Sequence, residues 1–186
     1  MGQLLSFENH ALAQLRARVA AAEEANQDLI AFARGHSGAT SSIHEAVLTA
    51  IEADGLDHLI HIVTQEWPQT LGLDAVAVAL FAGDVGLRAD ASGLQFVDPR
   101  VIARSISGID GVVLRAVERG HPQFGPACDL IRAEALIPLV ARPPLPNGLL
   151  ALGQRGSHGL ETRHGSELLY FLGAVLTRCI DRWLVP

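Results

Sequence analysis

The chain has no lysine: all 14 of its basic residues are arginine. That absence excludes Schiff-base chemistry, an ammonium general base and the lysine of a phosphate-cradling P-loop. Aromatic residues make up only 5% of the chain, too few for a platform on which nucleic-acid bases stack. Charged residues are 18% and the net charge is −6, so the basic footprint that nucleic-acid binding requires is missing too. There are two cysteines, Cys128 and Cys179, too few for a disulfide framework or a zinc ribbon, and a reducing, cytoplasmic setting is expected. The first residues, MGQLLSFENH, carry no basic segment ahead of an apolar run, and no apolar stretch approaches the ~20 residues of a membrane span. Neither a secretory signal nor a membrane partner is expected.

What is present is a chain of 186 residues, 49% hydrophobic, long enough to bury a sizeable core. From Leu5 to about Ala33, seam positions recur in steps of three and four: Leu5, Leu12, Val19, Asn26 and Ala33 on one, Glu8, Leu15, Ala22 and Leu29 on the other. The stretch holds no proline and is rich in Ala, Glu, Gln and Arg, so it reads as a long helix with a narrow apolar stripe. Leu5, Leu12, Leu15, Val19, Ala22, Asn26 and Leu29 fit the seam of a parallel homodimer. Asn26 would fix its register, and Arg18 and Glu23, five apart, could pair across it. The other reading is one amphipathic helix packed on its own domain.

Gly35, Gly38 and Ser41-Ser42 predict a break near 35–42 and divide the chain into an N-terminal helical segment, 1–42, and a second domain, 43–186. Ile43, Val47, Leu48 and Ile51 then line a helix stopped by Asp54-Gly55. Asp57 can cap another, with Leu59, Ile60, Val63 and Trp67 on its buried side. From Ala75 the period changes. Ala75–Phe81 reads as a strand, Val85–Ala91 and Gly93–Val97 as one further strand with a bend at Ser92-Gly93, and Asp98-Pro99 opens a short helix to Ile106. Gly111–Val117, Ala133–Val140 and Gly148–Gln154 complete the strands, 121–129 reads as an irregular loop, and Ser166 caps a last helix to about Trp183. The expectation is an α+β fold with a five- or six-stranded, mostly antiparallel sheet flanked by helices, preceded by a long coiled-coil-like helix.

Glu134-Ala-Leu-Ile-Pro-Leu139, Gly148-Leu-Leu-Ala-Leu-Gly153, His164-Gly-Ser-Glu-Leu-Leu169 and Arg178-Cys-Ile-Asp-Arg-Trp-Leu184 follow one another in order. In this the chain resembles the bacterial family catalogued as domain of unknown function 484. It departs from the family pattern at Gly156-Ser157, Leu160, Thr162 and Ser166, exchanges that keep the loop and cap roles. The resemblance implies a GAF-like domain, dimerisation through helices, and no established activity or ligand.

It also implies a ligand space on the sheet face covered by the short middle helix and the long loop before the last strands. Phe96, Arg104, Arg115, His121, Phe124 and Arg132 belong to that region, and its arginines could meet a small anionic ligand. Alternatively those arginines pair with Asp110, Glu118, Asp129 or Glu134, and side chains fill the space. His58 and His61 share a helical face but lack further ligands at metal spacing, so no metal or cofactor is expected. His44-Glu45 has no ATP-handling domain after it. Gly156-Ser-His-Gly159 is not a nucleophile elbow. No catalytic residue is therefore assigned. The expected function is a non-catalytic regulatory or protein-interaction module. The alternatives are a small-molecule enzyme using Cys128 and His121, or a structural partner protein with no ligand.

Overall fold

The structure is a computed structural model that describes residues 2–141, 147–156 and 165–184; within the first helix, side chains are described for Arg16, for 18–27 and from Ser37 onward. The chain divides into two compact units, residues up to Ser37 and residues from Gly38 on. The first is helical, belonging to α1 (Gly2–Ile51). Of the expected seam residues, Val19, Ala22 and Asn26 are exposed, and the side chains of Leu5, Leu12, Leu15 and Leu29 lie outside the described residues.

The break expected at 35–42 does not form, and those residues are helical. A glycine inside a helix costs only about 1 kcal/mol. Burial of Ala39, Ile43, Ala46, Val47 and Ala50 just beyond more than offsets that cost. Counted onward in sevens, the two seam positions arrive at Ile43, Val47 and Ala50, which lie in the domain core.

In the second unit, α2 (Leu56–His61), a π-helical turn (Ile62–Glu66) and α3 (Trp67–Leu71) follow one another directly. Gly55 is the N-cap of α2, so Asp57 sits in the first turn rather than capping it. The buried Trp67 donates its indole N–H to the Ala46 carbonyl at 3.1 Å, pinning this run to α1. Gly72, at φ 64°, ends α3 in the left-handed conformation that an L side chain resists. The strands are β1 (Ala75–Ala82), β2 (Val85–Asp90), β3 (Gly93–Val97), β4 (Val113–Ala116), β5 (Ala133–Leu139) and β6 (Asn147–Gln154), in the sheet order β3-β2-β1-β6-β5-β4. Every neighbouring pair is antiparallel.

Residues 85–97, expected as one bent strand, form a hairpin in which Asp90 opposes Gly93. The Asp90 carboxylate accepts the Ser92 N–H at 2.7 Å and so closes the turn. Helix α4 (Pro99–Ile106) starts as its sequence predicts, with Asp98 Oδ1 accepting the Arg100 N–H at 2.8 Å. The expected loop at 121–129 is largely a 3-10 segment, Pro122–Leu130, kinked at Gly125. Helix α5 (Ser166–Leu184) begins at Ser166, with the Gly165 carbonyl accepting the N–H groups of Leu168 and Leu169.

The sheet carries helices on one face: the end of α1, the α2–α3 run and α5. Val76, Val78, Leu150, Leu152 and Ile137 meet Ile43, Leu59, Trp67, Leu172 and Leu176 there. Helix α5 approaches β5 so closely that a side chain at Gly173 would strike Ile137. The opposite face is covered by α4 and the 3-10 segment. Its core joins Ala77, Leu136, Leu149 and Ala151 to Phe124, Cys128 and Ile131.

Candidate functional site

The face under α4 and the 3-10 segment is where polar groups are brought inside. Glu134, the second residue of β5, is 0% exposed. Its Oε1 accepts from Arg115 Nε on β4 at 2.8 Å, and its Oε2 accepts the His121 backbone N–H. A buried carboxylate is tolerated only when it is paired in this way. The His121 ring accepts the Gln123 N–H on Nδ1 at 3.3 Å and is hydrogen-bonded to the Ser105 backbone. Burial holds its pKa below the ordinary 6.5, with the Glu134 charge working the other way. Gln123 Nε2 then donates to Ser105 Oγ at 3.1 Å, tying the 3-10 segment to α4.

Toward the other edge of the sheet, on the same face, β2 contributes Arg88 and Asp90, two residues apart and therefore on one side of the strand. Arg88 Nη2 donates to Gln95 Oε1 at 2.7 Å and lies 3.4 Å from Asp90 Oδ2. Gly125 lies directly over this pair: a Cβ there would stand 2.7 Å from Asp90 Oδ2 and 3.0 Å from Arg88 Nη2. Its φ of 56° also suits glycine alone. Arg88 Nε, Asp90 Oδ2 and Gln123 Oε1 are buried with no hydrogen-bond partner. Such an orphan costs about 1–3 kcal/mol, and less at Asp90 Oδ2, which keeps the Arg88 guanidinium 3.4 Å away. A ligand or ordered water offering an acceptor to Arg88 and donors to the other two would remove that cost.

The residues expected to gather here do so in part. Arg115, His121 and Phe124 share this face, but Arg115 is taken up by Glu134 and Phe124 is core, wedged between Gly120 and Gly153. Arg132 is exposed and donates to the carbonyls of Asp129 and Ile131. Arg104 is exposed on α4. Phe96 is on the other side of the sheet: from β3 it opposes Leu87 of β2, borders a cavity with Ile60 and Val78, and is 79% exposed. The reason is strand alternation, which puts Gln95, not Phe96, beside Arg88.

Cys128 and His121 take separate partners, the Cys128 thiol meeting Arg119 Nη2 at 3.6 Å. On α5, burial pushes the Cys179 thiol pKa up, away from reactivity. His58 is paired with Asp54, and no cluster of three metal-ligating side chains exists among the described residues. Gly156 is described, but the rest of the Gly156–Gly159 motif lies outside the described residues. Arg88, Asp90 and Gln123 were not singled out from sequence; Arg-x-Asp inside an otherwise apolar strand was the available signal.

The family model described as "Protein of unknown function, DUF484" matches residues 1–185. No curated protein matches the chain. Among solved structures, the chain is similar to the GAF domain from a phosphoenolpyruvate-protein phosphotransferase of Coxiella burnetii, with 13% identity and a TM-score of 0.55 over 79% of this chain and 95% of that one. It is similar to a free methionine-R-sulfoxide reductase from Neisseria meningitidis in complex with its substrate, with 16% identity, a TM-score of 0.51, and coverage of 75% and 86%. It is also similar to the GAF domain from an Acinetobacter phosphoenolpyruvate-protein phosphotransferase, with 12% identity, a TM-score of 0.51, and coverage of 76% and 91%. At these identities the likeness establishes the GAF-like fold and nothing of the chemistry. Among the described residues no helix is long and apolar enough to cross a membrane.

Proposed function

The chain belongs to the DUF484 family, proteins of unknown function, and from that premise we propose that it is a non-catalytic regulatory module. In this reading a small polar ligand binds under the 3-10 segment, and the module dimerises through its N- and C-terminal helices. The observation that carries the ligand half is the set of three orphaned buried atoms on Arg88, Asp90 and Gln123. A buried carboxylate and a half-buried guanidinium on one strand, with Gly125 pressed over them, favour a ligand that carries both an acceptor and a donor. This differs from the simple anion expected from sequence, because Arg115 is already neutralised by Glu134.

The dimer half is supported by exposed apolar side chains that the domain does not use. Leu48, Ile51 and Phe171 are exposed, and Ile51, Phe171, Val175 and Cys179 line a shallow groove along α5. The seam register of residues 5–29 supports the same reading. A ligand biases such a module only by binding one helix arrangement more tightly than the other. The Gln123–Ser105 hydrogen bond gives the covering elements a shared position.

Native mass spectrometry of the intact purified protein tests the ligand half. A co-purified small molecule that is lost in Gln123→Met, while the fold is kept, supports it. Absence of any bound molecule, or retention in Gln123→Met and in Arg88→Met, refutes it. Sedimentation at micromolar concentration tests the dimer half: a dimer converted to monomer by Phe171→Asp is expected, and a wild-type monomer overturns it.

A further inference from the structure

On the opposite, helical side of the sheet, we propose a second small-molecule site that takes one aromatic ring with a short cationic tail. The site is a cavity of about 180 Å³ between α2 and the β2–β3 hairpin. Its floor is Ile60, Val78, Leu80 and Ala89, all buried, with Leu87 in the wall. Its rim is formed by Leu94 and Phe96 on the edge strand, both exposed. Apart from Asp57, every lining residue is apolar.

Three features identify the occupant. An apolar cavity of about 150 Å³ stays dry and accepts benzene, so this one has room for a ring and one or two further atoms. Water in it would find almost no hydrogen-bond partners, so an apolar body is favoured over a polar one. Asp57 is the only charged group at the cavity and forms no ion pair among the described residues. Its carboxylate attracts an ammonium tail and repels a carboxylate one. Phe96 gives such a cation an aromatic neighbour at the mouth. The site is separate from Arg88, Asp90 and Gln123, which lie under the 3-10 segment, so it stands or falls independently of the regulatory reading.

The test titrates the full chain with benzylamine, toluene and benzoate, following Leu, Val and Ile methyl resonances by NMR. Saturable shifts at Leu87 and Leu94 with benzylamine are expected, with benzoate binding several-fold more weakly. Asp57→Asn should weaken benzylamine about two- to fivefold and leave toluene unchanged, since the carboxylate is exposed. Leu94→Trp, at the exposed rim, should abolish binding without unfolding the protein, and Ala89→Leu, which fills the floor, serves as the second block. The proposal is overturned if neither benzylamine nor toluene shifts these methyls. It is equally overturned if both blocked variants bind as wild type, or if benzoate binds as well as benzylamine.

Discussion

Strand β1 presents Val76, Val78 and Leu80 to the helical face and Ala75, Ala77 and Ala79 to the other, and the two sides of the sheet differ accordingly. Large branched residues on the helical side interlock with α1, α3 and α5, and the layer they form is almost wholly apolar. On the alanine side there is little strand side chain to pack, so Phe124, Cys128 and Ile131 reach down to the sheet. Arg88, Asp90 and Glu134 come with their own hydrogen-bond needs. One face therefore stabilises by burial, while the other leaves polar groups whose satisfaction depends on what lies above them. Changing a residue on the first face should cost stability. On the second, stability and ligand affinity should come apart.

Trp67→Ala on the helical face should be the most damaging change, about 3–5 kcal/mol by urea unfolding, because a fully buried indole leaves a cavity and its hydrogen bond to the Ala46 carbonyl is lost. On the polar face, Glu134→Ala should cost less, about 2–3 kcal/mol, since half-exposed Arg115 can turn to water and the His121 N–H is the main group left stranded. If Glu134→Ala proved the more damaging, the contrast between the faces would be reversed. Gly153→Ala should lose about 1–3 kcal/mol, because a Cβ would stand 2.8 Å from Ile131 Cδ1 and 2.9 Å from Phe124 Cζ. Gly38→Ala, with nothing within 4 Å of its Cβ and helical backbone, should instead gain about 0.5–1 kcal/mol.

The smallest effect is one of pH. His121 binds a proton less readily folded than unfolded, because burial lowers its pKa below 6.5. Its contribution to stability is complete above about pH 6.5 and is lost as pH falls from there through the folded value. Unfolding midpoints at about pH 7.5 and 5.5 should therefore differ less in His121→Asn than in wild type. An unchanged difference would mean that the His121 ring is not desolvated as the hydrogen bonds to Gln123 and Ser105 require.

Local chemistry made much of this legible. Asp98-Pro99 was readable as a helix start because capping needs only neighbouring residues, and β1, β5 and β6 because their apolar runs are short and bounded by turn residues. The glycines at 35 and 38 misled because helix propensity is weaker than the burial of Ala39, Ile43 and Ala46, which only the packed domain supplies. Phe96 misled for a similar reason: sequence position put it near the covering loop, and the pairing of Leu87 with Phe96 put it on the far face.

The sequence by itself determined the α+β class, most of the strands and helices, and the family, because periodicity, caps and ordered motifs are properties of neighbours in the chain. Tertiary structure decided which polar groups share a buried space. Arg88 and Asp90 of β2 lie under Gly125 of the 3-10 segment, and Arg115 is drawn off to Glu134. Those partnerships join residues tens of positions apart, and burial, which sets their cost and their use, exists only once the sheet is covered.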